Sequence, residues 1–577
     1  YLFVYRKYED VRLVGAPPSS IGKYGGDTDN WMWPRHTGDF SLFRIYTGAD
    51  GSPRAYAEDN VPLKPKHYLP VSLDGVEEGD FTMVMGFPGS TDRYLSSYGV
   101  KQAIDKYGPA VVRVRDLKLK VMDKYMKSSE QTRIQYASKY ARVSNYWKYY
   151  IGQTEQLQSN GVFAKKKAIE DQFRNWVNAN ADRRERYGEV LKMFKDIYAT
   201  TDNTVEAQVY AREAGITGPE IALFALRMNR TLEAYFQSEE ALEEALDAAE
   251  TDSAETAARQ QFEPRMEAIL ASLRSSATEF FGDYNRQLDQ EMTAKVMALY
   301  HQDIPADQQP EILREIADDY KGDFEKYAAK LFDKGLFTSE DATLEFLEEP
   351  KEKVLSKDLS VALGEGLYQA YLSANSDDSL QSQLDKAYRL FTEGLRKMNP
   401  ERNYYPDANS TMRLTYGTVG SYQARDAVDY HYYTTAQGIL EKMDNDDPEF
   451  VVPEKLQRLI ENKDFGRYAN AQGDLPVCFI HNTDITGGNS GSPVINGKGQ
   501  LIGCAFDGNW EAMSGDIFFE PEIQRTISVD ARYILFIIDK YADAQNLIRE
   551  MTLVKEENSE EMPPVPAKRE AEGAEAM

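Results

Sequence analysis

Gly487-Gly488-Asn489-Ser490-Gly491-Ser492-Pro493 is the stretch on which the reading of the fold turns. Strand-like runs flank it, Val477-Cys478-Phe479-Ile480 before and Leu501-Ile502-Gly503-Cys504-Ala505-Phe506 after. Glycine on both sides of a serine lets the backbone take positive φ and turn amide hydrogens toward one point. Ser490 can then attack a carbonyl while the amides of Gly488 and Ser490 receive the developing oxyanion. An α/β-hydrolase elbow would place glycine two residues after the serine and a helix beyond it. Ser492 occupies that position and no helical pattern follows. A Gly/Ser-rich hairpin loop without chemistry fits the same residues.

Outward from this loop the chain has three textures. Residues 1–95 read as β structure, with short runs at Val11-Arg12-Leu13-Val14, Phe40 to Tyr46 and Phe81 to Met85, separated by turn clusters such as Gly86-Phe87-Pro88-Gly89. Over 96–395 Pro and Gly thin out and apolar residues recur at helical spacing, as in Ile312, Ile316 and Tyr320, which predicts an all-α domain without a fixed repeat. From 396 to 555 β texture returns, beginning with Thr411 to Gly417 and ending with Ile534 to Ile538, a run that reads as a strand or as the opening of a terminal helix. Residues 556–577 read as a disordered acidic tail. A helical insertion in one β fold and two β domains flanking a helical one both fit this order.

Composition narrows the function. A chain of 577 residues predicts several domains, since single cores stop growing near about 250–300 residues. Hydrophobic residues at 42% and charged residues at 28% indicate a globular chain. The 37 Tyr and 25 Phe suit packed cores and peptide-lined clefts. A formal charge of -27 argues against nucleic acid and anionic membranes as partners. No apolar run reaches the length of a membrane span. Two cysteines, Cys478 and Cys504, make neither a disulfide framework nor a metal cluster, so no metal site is expected. A single bridge between them and two buried free thiols both stay open. The chain opens at Tyr1 directly onto Leu2-Phe3-Val4-Tyr5, without a signal peptide, and reads as beginning inside a domain.

Gly-Asn-Ser-Gly-Ser-Pro followed by an apolar strand resembles the trypsin-like Gly-Asp-Ser-Gly-Gly-Pro signature. Trypsin-like enzymes run His, Asp, Ser along the chain, and Asp39, before the apolar run Phe40 to Tyr46, suits a buried carboxylate that orients the base; an ordinary turn aspartate fits too. Asn489 stands where zymogens carry an Asp that pairs with a newly freed N-terminus, which argues against activation by that route. His36 lies only three residues from Asp39, too close for triad geometry, while His67, His301, His431 and His481 have no supporting context. The catalytic base is therefore expected upstream of Tyr1.

The segments Asp29 to Phe40, Gly487 to Pro493 and Phe506-Asp507-Gly508-Asn509-Trp510-Glu511 resemble the bacterial dipeptidyl-peptidase 7 and 11 family of serine exopeptidases, over essentially the whole chain up to about residue 553. The resemblance implies an α+β multidomain protein, a chymotrypsin-like double β-barrel with a large all-α domain inserted that caps the cleft. It implies Ser490 as nucleophile, Asp39 as triad acid, Asn30, Trp31 and Asn145 at the substrate's N-terminal end, and Asp507 as acceptor of the free α-amino group. A desolvated carboxylate is a sensible reader of a chain end, because the terminal ammonium is the charge that distinguishes it. On the residues alone Asp507-Gly508 equally fits a hairpin turn, and Asn145 a solvent-facing helix position. Gly508 implies an open, uncharged primary pocket, since acid-specific members carry Arg there; hydrophobic residues are then expected at the penultimate position. Members use no cofactor, are usually homodimeric, and are periplasmic or surface-associated. Taken literally without its histidine, the chain also fits an inactive peptide-binding homologue, and a trypsin-like endopeptidase is a third reading.

Overall fold

The computed structural model describes residues 4–374 and 378–555, so the expectation for 556–577 lies outside the described residues. The chain divides into two compact units, one made of Tyr1–Arg93 with Pro406–Met577 and the other of Tyr94–Tyr405.

The first unit is built on strands drawn from both ends of the chain: β1 Asp10–Gly15, β2 Leu42–Thr47, β3 Val61–Pro62, β4 Val71–Ser72, β5 Phe81–Gly86, β6 Arg413–Thr418, β7 Tyr422–Arg425, β8 Val428–Tyr430, β9 Tyr433–Thr435, β10 Pro476–His481, β11 Ser492–Ile495, β12 Leu501–Gly508, β13 Thr526–Asp530 and β14 Leu553–Val554. A nine-stranded sheet runs in the order β6-β5-β11-β12-β13-β10-β9, with β4 beside β12 and β14 beside β4. A three-stranded sheet, β1-β2-β3, and a β7–β8 ribbon complete it. β5 pairs antiparallel with both β6 and β11, so the helical unit enters and leaves between neighbouring strands of one sheet. Val84, Phe479, Val494 and Ile502 are buried together on one face of this sheet, which explains the period-two pattern of β5.

Of the two readings of Ile534 to Ile538, the helical one holds: a helix spans Ala531–Phe536 and a π turn Ile537–Tyr541. Asp530 caps it, its side chain accepting from Arg532 N, and near-complete burial of the run removes the periodicity that would have announced a helix. Val4 and Tyr5, the described part of the opening run, belong to no strand and are exposed.

Both cysteines are free thiols. Cys478 and Cys504 are each in register with Val529, from opposite sides of β13. Two strand spacings separate them by about 9–10 Å, beyond the roughly 7 Å that a disulfide can bridge.

The second unit is helical, with long helices at Gly108–Ser128, Glu130–Ser159, Glu220–Asp247 and Asp252–Gly282. Its last helix, Asp378–Met398, runs past 395 to just before Pro400, whose ring disfavours helix in the residue preceding it. One core gathers Phe224, Met297, Leu331 and Phe337; a smaller one gathers Phe173, Phe194 and Phe391. A buried charge cluster joins Gly108–Ser128 to the helix Val205–Gly215. Glu213 accepts from Lys118 Nζ at 2.7 Å and from Arg115 Nη2 at 2.9 Å. Burial alone would raise the Glu213 carboxyl, yet the two cations hold it at about 2. Glu213→Ala would strand two buried cations and is expected to cost about 3–5 kcal/mol in urea unfolding of the chain, against under about 1 kcal/mol for removing an exposed ion-pair partner such as Asp116.

Candidate active site

The loop that leads from β10 to β11 carries the serine. Gly488 and Gly491 both adopt positive φ, at 103° and 83°. Within this loop the amide of Asn489 donates to Thr486 O at 3.1 Å, that of Gly491 to Ala505 O at 2.7 Å, and that of Ser492 to Asn489 O at 2.9 Å. Among the described residues the amides of Gly488 and Ser490 have no protein acceptor. Two amide donors in one exposed glycine-rich turn are thus left for a ligand oxygen. Ser490 is exposed and its Oγ donates to Phe506 O at 3.3 Å, which sets the hydroxyl against β12.

The next residue of β12 is Asp507, buried at 8% exposure. Its Oδ2 accepts from Arg35 Nη1 at 2.6 Å and from Trp31 N at 3.0 Å, and its Oδ1 accepts from Gly508 N at 2.9 Å. Arg35 is buried as well. Its Nη1 also donates to Asp29 O at 2.8 Å, its Nε donates to Thr37 Oγ1 at 3.1 Å, and its guanidinium lies over the Phe506 ring at 5.0 Å. Trp31 itself sits at φ 61°, a region costly for a large aromatic residue and held here by the bond to Asp507. Asn30 is half-buried in the same turn. Arg35 went unnoticed in the sequence; the signal was an arginine inside an otherwise apolar and turn-forming segment, where a buried cation demands a buried anion.

Gly508 is buried in the β12–β13 pair opposite Thr526. A Cβ there would stand 3.2 Å from Ala512 Cβ and 3.5 Å from the Trp31 ring, so the space above Gly508 is narrow, uncharged and walled by an aromatic face.

Asp39 departs from expectation. It is exposed rather than buried, and it precedes β2 by a short extended stretch rather than opening the strand. Its carboxyl is nonetheless raised above the usual range, first by the protein packed around its closed side and further by Asp507, against the pull of Arg35. The same carboxylate raises the nearby Cys504 thiol, mainly a burial effect, to about 11. Asp39, Arg35, Asp507 and Cys504 therefore share one electrostatic neighbourhood. Asn145 lies mid-way along Glu130–Ser159 in the helical unit, half-buried.

None of the five histidines bonds to Ser490 or Asp39. His36 is buried with its Nε2 against Gly438, and burial followed by Lys442 lowers it to about 3. His481 is fully buried between Ser528 Oγ and Thr483 Oγ1, each at 2.8 Å, and burial followed by Arg525 lowers it to about 3. His431 packs at a tilt against the Tyr432 and Tyr433 rings, His301 bonds Gln309 in the helical unit, and His67 is exposed. An imidazole that ionises at 6.5 when unfolded but near 3 when folded contributes stability that is full above 6.5 and lost as pH falls toward 3. The difference in unfolding free energy between wild type and His481→Gln is thus expected to shrink as urea titrations move from about pH 7 to pH 4; a constant difference would contradict the buried neutral ring.

The sequence profile of the peptidase S46 family matches residues 1–553. The chain is 42% identical over 568 residues to dipeptidyl-peptidase 7 of Porphyromonas endodontalis, an alignment that covers 98% of this chain and 65% of that protein. It is 38% identical to the Asp/Glu-specific dipeptidyl-peptidase of Flavobacterium psychrophilum, covering 96% and 74% of the two chains. The crystal structure of Porphyromonas endodontalis DPP11 in complex with the dipeptide Arg-Glu superposes with a TM-score of 0.83 at 34% identity, over 94% of this chain and 74% of that one. The chain thus spans about two thirds to three quarters of the length of these relatives.

Proposed function

The chain belongs to the peptidase S46 family, and from that premise we propose that it is the larger part of a serine-type dipeptidyl peptidase that releases dipeptides from the free N-termini of oligopeptides. The observation that carries the reading is the adjacency on β12: Ser490 Oγ touches the carbonyl of Phe506, and the next residue is the buried carboxylate of Asp507. An extended residue spans about 3.3–3.6 Å, so the amino end of a dipeptidyl group lies about 7 Å from the carbonyl under attack. A nucleophile whose hydroxyl rests on β12, beside a buried anion of that strand, suits this span. Arg35 already occupies part of Asp507, so an incoming ammonium shares the carboxylate with a guanidinium, and Asp39 keeps the neighbourhood net negative.

In this reading Ser490 Oγ bonds to the scissile carbonyl carbon as its proton passes to an imidazole. The carbonyl π pair becomes an oxyanion held by the amides of Gly488 and Ser490. The imidazolium then protonates the leaving amine, the C–N bond breaks, and water releases the dipeptide by the reverse sequence. Asp39 orients the imidazole, a role that the contacts of the five histidines here, such as His481 with Ser528 and His301 with Gln309, do not support for any of them. Asn30 and Trp31 line the amino-end subsite, and Asn145 is taken as a further substrate-binding residue on the resemblance alone. Two barrels of the chymotrypsin type frame the groove. The narrow, uncharged space over Gly508 favours a hydrophobic penultimate residue.

The engaged histidines favour a second reading for the chain as it stands, peptide binding without cleavage. The protein translated from the complete reading frame separates the two. It is expected to cleave dipeptidyl reporters with a free amino end and to lose about 10²-fold or more in kcat/KM when that end is acetylated, because a neutral amide cannot make the charge-assisted bond that the ammonium makes to Asp507. Ser490→Ala should remove about a million-fold in kcat. Equal rates on free and blocked substrates would leave an endopeptidase, and no cleavage of either would leave the binding protein. Gly508→Arg is expected to raise the ratio of Asp/Glu to Leu/Phe substrates by about 10-fold or more, since a guanidinium there would pair with a substrate carboxylate once the Ala512 methyl, 3.2 Å from the new Cβ, gives way. A wild-type preference for Asp or Glu, or a ratio unmoved by the substitution, would overturn the hydrophobic pocket.

A further inference from the structure

The oxyanion loop does not hold its shape through its own bonds alone. It lies on the end of β5, and the contact surface is free of side chains on the β5 side. A Cβ on Gly86 would stand 2.3 Å from both Asn489 Oδ1 and Ser492 Oγ. Those two side chains are 2% and 7% exposed, so neither has solvent to move into. On the loop side, a Cβ on Gly488 would stand 2.4 Å from Phe87 O and 3.0 Å from Gly89 N, at a φ that strains any L side chain. Gly89 N donates to Gly487 O at 2.7 Å, which pins the residue that precedes Gly488. Gly89 itself leaves 3.1 Å between a Cβ and Gly487 O.

Asn489 completes the seat. Its backbone amide and its Nδ2 both donate to Thr486 O, each at 3.1 Å, closing the turn from inside. A carboxylate in this place could not donate that second bond, and its charge would be buried beside a carbonyl without a cation. The far edge of the β5 turn is anchored too: Ser410 N donates to Pro88 O at 2.9 Å, and Ser90 bridges Asn409. The turn is therefore fixed on one side by Asn409–Ser410 and presents its other side to residues 487–492.

We propose that the Gly86–Gly89 turn is the template that keeps the oxyanion hole formed at rest, with Gly86 and Asn489 as positioning residues for acyl transfer at Ser490. The inference rests on the dipeptidyl-peptidase reading, and it goes beyond it in naming what orients the Gly488 and Ser490 amides. A buried neutral amide locked over a side-chain-free strand end does the work that an activating ion pair would otherwise do, so no cleavage event is needed to form the hole.

The test uses the protein of the complete reading frame. Steady-state kinetics on a free-amine dipeptidyl reporter are compared with calorimetric affinity for the decarboxylated dipeptide product, an aminoacyl amine with no carboxylate to enter the hole. Gly86→Ala and Asn489→Asp are each expected to lower kcat by about 10²–10³-fold, the loss typical of one displaced oxyanion donor, while the Kd of this amine stays within about threefold. Asn489→Ala, which introduces neither bulk nor charge, carries the test if either of the others fails to fold, with a kcat loss of about 10-fold or more expected. A variant that keeps kcat within threefold of wild type overturns the template, and so does a parallel loss of kcat and amine affinity, which would mark general damage. A wild-type protein that releases no dipeptide at all sinks the underlying reading instead, a result distinct from either.

Discussion

Arg35 and Asp507 form the contact on which the rest of the candidate site depends. Both side chains are buried, at 8% and 7% exposure, with Nη1 and Oδ2 2.6 Å apart. Two charges removed from water recover their desolvation cost only when the geometry is close and the remaining donors and acceptors are filled. Here they are: Arg35 adds the Asp29 carbonyl and Thr37 hydroxyl, and Asp507 adds the amides of Trp31 and Gly508. The pair thereby pins the 29–37 turn segment, which belongs to no strand, against β12. Its consequences reach Trp31, held at positive φ over Gly508, and Asp39, whose carboxyl titrates in the field of both charges.

β12 then acts as a common ruler. Phe506 offers its carbonyl to Ser490 and its ring to Arg35, Asp507 turns its carboxylate into the turn segment, and Gly508 leaves space above itself. Three consecutive residues thus meet the nucleophile, the buried ion pair and the aromatic wall. Strict alternation would send the successive side chains of Phe506 and Asp507 to opposite faces, yet both meet the Arg35 guanidinium. A bulge between Ala505 and Asp507 in the pairing with β13 shifts the register at this point, a common device for re-aiming a side chain beside a site.

The helical unit obeys a different economy. Its elements are amphipathic and capped, as at Ser129, Asn285 and Ser339, and a deeply buried charge group, Glu213 with Lys118 and Arg115, is satisfied internally. A block of more than three hundred residues with cores of its own thus stands between β5 and β6 while the two strands still pair over six residues.

Local chemistry in the chain determined a good deal by itself. The glycines around Ser490 demanded a turn with free amides, the strand-like runs became β5, β6, β10 and β12, and the 3.6-residue spacing became helices, because each signal is set within a few residues. Tertiary structure alone decided what depends on distant partners. Arg35 and Asp507 stand 472 residues apart in the chain, and no short-range pattern tells a buried ion pair from two surface charges. Asp39 is exposed, not buried, because exposure follows from what the fold lays over a residue. Ile534 to Ile538 became a helix because a run buried on every side has no period to read, and Cys478 and Cys504 are kept apart by Val529 of a strand lying between them.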